Sequence, residues 1–254
     1  SRRDQVTFTR NTARYVNKRF NVSNPFERVL ILLVVAVVVG VMVGVVLPKI
    51  SPEVGELTGE YVASGPAADV LETLRVDDDQ SGDGYDRDLF GYRETDDDGD
   101  GCDVRDEVLA RDLEDVTFTT PGGCQVQFGV LHDLYTGKTI DFVRGPQTSS
   151  AVQIEHVVAL ENAWQSGARD WDTAKRYKFG NDMYNLLAAD GEANSEKGSA
   201  SAAYWLPTNA DFRCEYVARQ IGVKDKYDLS VTTQEKQAML SVLRSCPGQE
   251  VPAE

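Results

Sequence analysis

The strongest constraint in this sequence is an uninterrupted run of apolar residues and glycine from residue 29 to residue 47, VLILLVVAVVVGVMVGVVL. As a helix with a rise of ~1.5 Å per residue, the run would be about 28 Å long, close to the ~30 Å hydrocarbon core of a bilayer. Basic residues far outnumber acidic ones before the run, a bias typical of a cytoplasmic flank. The sequence therefore predicts a cytoplasmic basic segment (1–28), a transmembrane helix (29–47) and a single-pass topology with the remainder outside the cytoplasm.

A cleaved signal peptide is the alternative interpretation of the same run. The apolar part of a signal peptide usually has about 7 to 15 residues and is followed by a cleavage site of small residues. The run here is longer, and Leu47-Pro48-Lys49 offers no such site. We therefore expect an uncleaved membrane anchor, with secretion after signal cleavage as the alternative.

The residues beyond the run divide by composition. Residues 48–84 are rich in Pro, Gly, Ser and acidic side chains and predict an extracellular stalk, whereas 85–247 is long enough for one compact domain and 248–254 would be a tail. Of the 26 basic and 41 acidic residues, 8 and 2 lie in residues 1–50, which leaves 18 and 39, a formal charge of −21, for the rest. Such a body repels nucleic acid at long range unless a basic groove or bound cations offset its field.

All four cysteines follow the apolar run, on the side where oxidation is permitted, and their even number suggests disulfides. Three pairings are possible. Proximity in sequence favours Cys102 with Cys124 and Cys214 with Cys246. A metal site is the less favoured alternative because no CxxC spacing occurs.

Periodicity and turn residues predict a mixed domain. Short β-rich runs at 126–131 and 139–144 flank Tyr-Thr-Gly-Lys and indicate a hairpin. The other predicted elements are strands at 152–160 and 185–189 and helices at 161–166, 172–179, from 193 onward, at 211–221 and at 234–246, the last opened by a capping box at Thr232 to Glu235. The predicted fold class is α+β.

One apolar run contains an adjacent glutamate and histidine, in IEHVVALENAW. Taken alone, Glu155 and His156 are best explained as a strand end with a half-buried imidazole bonded to backbone. The interpretation changes with the continuation, because Asn185 opens the next apolar run and Asn194 follows with the pattern Asn-x-x-Lys-Gly. This ordered set resembles the HNH endonucleases of the ββα-metal superfamily.

The resemblance extends from about residue 85 to residue 205, through DDDGDGCDVRDEVLARDL, LYTGKTIDFVRGP and FGNDMYNLLAADGEANSEKGSASAAYWLP. This stretch is similar to HNH proteins with the GmrSD-type restriction endonuclease C-terminal domain. It implies a ββα-metal core with an added β-hairpin and C-terminal helices, preceded by the one transmembrane helix.

The resemblance also implies roles for individual side chains. His156 would be the general base, since a neutral imidazole accepts a proton from water near neutral pH. Glu155 and Asn194 would ligate Mg²⁺ or Mn²⁺ through oxygen atoms, as hard cations prefer. Asn185 would orient the catalytic loop or the imidazole. The family usually has aspartate before the histidine, so the longer Glu155 leaves the position of the metal in doubt.

Two basic residues are phosphate-binding candidates. Lys197 follows the second asparagine, although a lysine late in a helix also suits the helix dipole without any function. Arg105 belongs to a Cys-Asp-x-Arg-x-Glu portion that recurs in the family. Aromatic residues at Trp164, Trp171, Tyr204 and Trp205 offer platforms for base stacking, but their spacing favours core packing.

An aspartate-rich run from 96 to 107 fits the twelve-residue calcium loop D-x-D-x-D-G-x₅-E. The expected ligands are Asp96, Asp98, Asp100 and Glu107. A solvated acidic turn is the second interpretation, and a direct part of Arg105 or Glu107 in catalysis is the third.

These observations predict a membrane-anchored, extracytoplasmic, metal-dependent HNH endonuclease that hydrolyses DNA with low sequence specificity, with RNA as an open second substrate. The expected partners are nucleic acid and, through the apolar run, the membrane, and the sequence indicates no protein partner. The alternative is a non-catalytic calcium-binding module at the cell surface.

Overall fold

The computed structural model of the chain describes residues 25–46, 62–91, 95, 96 and 98–253. These residues form two compact units, Ser1–Tyr61 and Val62–Glu254, which are considered separately. Most of the predicted basic segment, residues 1–24, and the first part of the predicted stalk, residues 48–61, lie outside the described residues.

The first unit contributes one apolar helix, α1 (Pro25–Val41), which continues as a π-helical turn over Met42–Val46. The side chains of Pro25–Val45 are exposed, and an 18-residue window within this stretch has a mean hydropathy of 2.9. By length and composition this helix could cross a membrane, and a signal sequence would have the same properties. The predicted span 29–47 agrees with it to within a few residues, apart from residue 47, which is not described.

The second unit mixes short strands with helices, which agrees with the predicted α+β class. Its strands are β1 (Leu113–Phe118), β2 (Val126–His132), β3 (Thr139–Val143), β4 (Val152–His156) and β5 (Leu186–Asp190). Its helices are α2 (Pro66–Thr73), α3 (Val104–Asp112), α4 (Leu160–Gln165), α5 (Thr173–Gly180), α6 (Gly191–Lys197), α7 (Arg213–Lys226) and α8 (Thr233–Leu243). Short 3₁₀ turns at Arg87–Phe90, Ser149–Ala151, Ala168–Asp170 and Ala210–Phe212 complete the described elements.

The predicted hairpin provides β2 and β3 of a three-stranded antiparallel sheet with the order β1-β2-β3, in which β2 is central. The sequence did not predict β1 or the helix α3 before it. The helix starts where the Asp103 side chain accepts the backbone N–H of Asp106, a regular N-cap. Gly129 on β2 allows the close approach of β1, since a Cβ there would lie 2.7 Å from Cδ2 of Leu113.

The second sheet consists of β4 and β5 alone, paired antiparallel from Val152 opposite Asp190 to His156 opposite Leu186 without a register shift. Helix α6 follows β5 directly, because the Asp190 side chain caps it by accepting the Ala193 N–H at 2.9 Å. Helices α4 and α5 lie between the two strands in the chain, but the pairing of β4 with β5 brings β4 and α6 together.

Helices α7 and α8 cover one side of this second sheet and its connections. They contribute Tyr216, Val217, Ile221, Met239 and Leu243 to the largest buried cluster, which also contains Leu187 of β5. Thr232 caps α8 as predicted, since its hydroxyl accepts the Glu235 N–H at 3.0 Å. Glu235 does not complete the capping box. Its carboxylate is buried and binds the ammonium of Lys224 on α7 instead.

The compact domain starts earlier than the predicted boundary at residue 85. Within the predicted stalk, α2 buries Ala67, Ala68 and Leu71 in the same cluster as α7. The predicted tail is also part of the domain, since its backbone meets that of residues 64–67 through Gly248 N–H to Ser64 O and Ala67 N–H to Gln249 O, each at 2.9 Å. The composition of residues 48–84 as a whole is that of a linker, but the short apolar face of α2 packs in the cluster that contains α7.

Both predicted disulfides are present, Cys102–Cys124 and Cys214–Cys246. The first ties the start of α3 to the start of β2. The second ties the start of α7 to the residues that follow α8.

Candidate active site

A cavity of about 300 Å³ opens at the end of β4, between that strand, α6 and the 3₁₀ turn at Arg87–Phe90. Glu155, His156 and Asn194 all line it, so the structure brings together three of the predicted side chains. Arg87 and Ser195 line it as well. The pairing of β4 is regular, and the cavity reaches both Glu155 and His156 because it lies where the strand ends.

Glu155 is almost fully buried, and its Oε1 forms an ion pair with the Lys197 ammonium. The Tyr135 hydroxyl donates to the same oxygen at 3.4 Å. Burial raises the pKa of Glu155, and Lys197 opposes that rise. Since the bonds from described residues go to Oε1, Oε2 is the oxygen available to a ligand.

His156 is also buried, and its Nε2 lies 2.8 Å from the carbonyl oxygen of Gly180. A carbonyl oxygen only accepts, so Nε2 carries the proton and the lone pair of the neutral ring is on Nδ1. Burial lowers the pKa of His156 to about 4, with the charges of Arg87 and Lys197 acting in the same direction. The ring is therefore neutral at physiological pH.

Gly180 ends α5 at a point of close contact with the 3₁₀ turn. A Cβ on this residue would lie 2.7 Å from the carbonyl oxygen of Phe90. The absence of a side chain thus lets α5 pack against the turn that carries Arg87 while its last carbonyl holds His156. Gly180 therefore contacts both the 3₁₀ turn and the histidine at the end of β4.

Asn185 is fully buried and bonds to the backbone just after the histidine. Its Oδ1 accepts the Val158 N–H at 2.8 Å and its Nδ2 donates to the Val158 carbonyl at 3.1 Å. The Asn185 carbonyl accepts the N–H of Val157 at 2.8 Å. These bonds fix the chain that leaves β4, and they are the contacts that the predicted orienting role requires.

Asn194 lies on α6, where its Nδ2 donates to Oε1 of Gln153 at 2.9 Å. This bond leaves the amide oxygen as the ligand atom. A carboxylate and an amide oxygen on one cavity wall are the donor types that Mg²⁺ or Mn²⁺ takes, so the donor chemistry fits a hard cation. The ammonium of Lys197 beside Glu155 competes with such a cation for the same negative charge.

The two predicted phosphate-binding residues are engaged elsewhere. Lys197 is buried, and its ammonium binds Glu155 and the His156 carbonyl, the latter at 3.0 Å. Arg105 donates to the carbonyls of Ser149 and Val152, at 3.4 and 3.2 Å, and does not line the cavity. Their role at a phosphate stays a prediction, and these contacts do not favour it.

Arg87 is the cationic side chain that the sequence did not single out. It is exposed on the 3₁₀ turn and lines the cavity beside Glu155 and His156. The only signal in the sequence is a basic residue in the acidic stretch DGYDRDLFG. Arg87 reaches the cavity because α5 packs against the turn, and no local sequence pattern predicts such a long-range contact.

The aspartate-rich loop is separate from this cavity. Among the described residues, the carboxylates of Asp96, Asp98 and Asp100 come within 4.8 Å of one another, and all three are exposed. Glu107 lies in the first turn of α3 and is not part of that group. The calcium loop therefore stays a prediction.

Comparisons with known proteins agree with the resemblance seen in the sequence. The model for the C-terminal domain of GmrSD restriction endonucleases matches residues 103–242. An uncharacterized secreted protein of Arthroderma benhamiae is 37% identical over 186 residues, which is 72% of this chain and 86% of that protein. The family match contains Glu155, His156, Asn185 and Asn194, whereas Arg87 and the three clustered aspartates precede it.

Proposed function

Because the chain belongs to the family of GmrSD restriction endonuclease C-terminal domains, we propose that its second unit is a metal-dependent endonuclease that hydrolyses phosphodiester bonds of DNA. The observation that carries the proposal is the shared cavity at the end of β4. There a buried carboxylate, an amide oxygen and a neutral histidine with a defined tautomer face one space. The antiparallel pairing of β4 with β5 and the helix α6 directly after β5 support the predicted ββα-metal core.

His156 is the general base in this mechanism. Its Nδ1 takes a proton from the attacking water, and the Gly180 carbonyl stabilises the imidazolium through the Nε2–H bond. A pKa of about 4 keeps the ring neutral, with Nδ1 unprotonated, at neutral pH, and the developing negative charge of the phosphate favours protonation of Nδ1 during the reaction. Asn185 holds the chain after the histidine and so positions the ring.

Glu155 and Asn194 would hold Mg²⁺ or Mn²⁺, with Lys197 keeping the buried carboxylate ionised. When bound, the cation supplies positive charge to the phosphate and to the departing oxygen. Arg87, which lines the same cavity, donates to a nonbridging phosphate oxygen, as guanidinium groups commonly do. RNA is an open second substrate in this proposal.

The second part of the proposal concerns location. The apolar helix, the two disulfides and the secreted relative support a nuclease domain outside the cytoplasm. The chain is either anchored by α1 or released after cleavage. The mass of the protein recovered from the membrane and from the medium of an expressing culture distinguishes these two forms.

Plasmid digestion by the full chain in detergent, with Mg²⁺ or Mn²⁺, tests the nuclease proposal. We expect cutting that stops with EDTA and falls by roughly 10² to 10⁴-fold in His156→Ala, the usual contribution of a general base. His132→Ala is the matched control, since His132 is exposed on β2 and bonds to Thr139 at 3.2 Å. Equal cutting by both variants contradicts the proposal. Tight calcium binding without cutting under any metal would favour the non-catalytic module instead.

A comparison of two arginines tests the assignment of the phosphate contact. Arg87→Ala is expected to raise KM for DNA, because the side chain lines the cavity. Arg105→Ala is expected to lower the unfolding temperature, because it removes bonds to Ser149 and Val152. The reverse pattern would return the phosphate role to Arg105.

A further inference from the structure

A second cavity of about 600 Å³ lies next to the cavity that contains Glu155 and His156 and has twice its volume. Residues of the same two helices line both cavities. Helix α4 lines the first cavity with Leu160 and the second with Asn162, while the residues around the end of α6 line the first with Gly198 and the second with Ser199. Lys197 lines the second cavity and its ammonium reaches Glu155 in the first. The two cavities are thus within one lysine side chain of each other.

The lining of the second cavity is unusually rich in carboxamides, which come from Gln80, Asn162, Gln165 and Gln234. Asn162 is more than nine-tenths buried, yet its side chain makes no hydrogen bond within the described part of the chain. Gln165 beside it likewise has no bond to its amide from any described residue. These amides are mostly enclosed, line the cavity and make no bond to the described part of the chain, so their donors and acceptors are available to a ligand.

Tyr204 stands at the rim of the same cavity and is 74% exposed, more than any other large apolar side chain described in the second unit. Its hydroxyl donates to Oε1 of Gln234 at 3.0 Å, which holds the ring in one orientation. The other aromatic residues considered from the sequence are packed in the core, as expected. A fixed and exposed ring is a platform on which a planar group stacks.

We infer that the second cavity binds the unpaired base of a nucleotide next to the scissile phosphate, an inference that rests on the proposed nuclease function. A carboxamide offers one donor and one acceptor side by side, which matches the edge of a nucleobase. A paired base has that edge occupied, so the cavity selects a single strand or a base turned out of a duplex. The strongly acidic domain gains from such a contact, because stacking and amide bonds do not depend on attraction to phosphate.

Binding by the full chain in detergent tests the inference without cleavage. The protein is His156→Ala in Mg²⁺, and the probe is a fluorescein-labelled hexanucleotide followed by fluorescence anisotropy. We expect Tyr204→Ala to weaken binding about tenfold, as is usual for the loss of one stacked base, and Asn162→Ala to weaken it several-fold. Tyr177→Ala is the matched control, because Tyr177 is a tyrosine on α5 with 36% exposure that lines neither cavity.

A series of hexanucleotides, each with one abasic site, locates the contact. At one position, we expect the missing base to weaken binding to the protein with Tyr204 intact as much as Tyr204→Ala weakens binding of the complete strand. The Tyr204→Ala variant should bind that abasic strand no more weakly than it binds the complete strand. Losses that add at every position, or an equal loss in Tyr177→Ala, overturn the inference. Competition between a neutral oligosaccharide and the strand would also overturn the inference, because the amides would then bind sugar hydroxyls.

The two proposals fail in different ways. If the protein binds single strand and duplex equally, and Tyr204→Ala and Asn162→Ala leave the affinity unchanged, the base site is excluded. The nuclease proposal is then decided by plasmid cutting alone. If it binds no nucleic acid at all, both are excluded. Circular dichroism melting of each variant shows whether a loss of binding comes from unfolding.

Discussion

A lysine and a carboxylate are paired in the interior of this domain. Burial raises the pKa of Glu155, and the ammonium of Lys197 opposes part of that rise through an ion pair with Oε1. The same ammonium donates to the His156 carbonyl, so one side chain supports the two residues at the end of β4. Lys197 is therefore a positioning residue in the proposed mechanism.

Replacing Lys197 by methionine should change the pH profile of cutting. Without the ammonium, the pKa of Glu155 rises further, since burial is no longer opposed. A metal ligand must be ionised, so the acidic limb of kcat/KM is expected to move to higher pH. Lys175→Met, which removes a surface lysine, is the control and should leave the limb in place. An unchanged limb in the Lys197 variant would show that Glu155 does not act in its ionised form.

His156 should also make the stability of the domain depend on pH. Its folded pKa of about 4 is lower than the ordinary value of 6.5, so between these values the unfolded chain binds a proton that the folded chain does not. Stability is therefore complete above about pH 6.5 and falls as the pH is lowered to about 4, by about 3 kcal/mol.

The measurement is urea unfolding in EDTA at pH 7.5 and pH 5, for the wild type and for His156→Gln. The glutamine variant should lose less stability over this interval, because it has no proton to take up. Equal losses in both proteins would mean that other groups cause the acid sensitivity.

At the level of single residues, the sequence predicted which side chains share the cavity but not the hydrogen bonds and ion pairs that each of them makes. Glu155, His156 and Asn194 were expected at one site because their order resembles a family, and the cavity contains all three. Lys197 and Arg105 were expected at a phosphate, yet the burial of the one and the backbone bonds of the other depend on tertiary packing. Arg87 reaches the cavity through a long-range contact between a turn and α5, for which no local pattern exists.

Among the elements, α7 and α8 are joined by a buried ion pair. The Lys224 ammonium lies 3.0 Å from Oε1 of Glu235 and also donates to the Ser230 carbonyl at 3.0 Å. Both side chains are fully buried. The pair explains why the second half of the predicted capping box does not form, since an isolated ammonium in the core costs more than an unsatisfied helix N–H on the surface.

Removing one partner of this pair should be far more costly than replacing both. Glu235→Ala leaves a buried ammonium and is expected to lower the free energy of unfolding by roughly 3 to 5 kcal/mol. The double variant Lys224→Met, Glu235→Leu should recover most of that loss in urea unfolding, because no unpaired charge remains. A double variant as unstable as the single one would show that packing, not charge, decides this contact.

Elements with a strong local signal were predicted well, and those that depend on partners were not. The β2–β3 hairpin and the strands β4 and β5 follow from alternating apolar residues and turn residues. Strand β1 has the adjacent acidic residues Glu114 and Asp115 and no regular alternation of apolar residues, so its pairing with β2 determines it more than its own sequence does. Helix α2 has only eight residues and is stabilised by burial against α7.

At the scale of the whole molecule, the domain boundary has a direct test. A fragment that begins at residue 62 retains α2, whereas one that begins at residue 85 loses the buried Ala67, Ala68 and Leu71. We expect the first to unfold cooperatively and the second to be poorly folded or much less stable. Leu71→Ala in the longer fragment should alone cost roughly 2 to 5 kcal/mol. Equal melting temperatures for the two fragments would restore the boundary at residue 85.

The two cross-links between cysteines bear on how a cell tolerates such an enzyme. They close stretches separated by 22 and 32 residues, and in the chain-entropy view each contributes about 3 kcal/mol by restricting the unfolded chain. In the reducing cytoplasm neither forms, so a newly made chain lacks a share of stability comparable to the whole margin of a typical domain. For the proposed nuclease, activity against the producer's own DNA would then be low until the chain reaches an oxidising compartment.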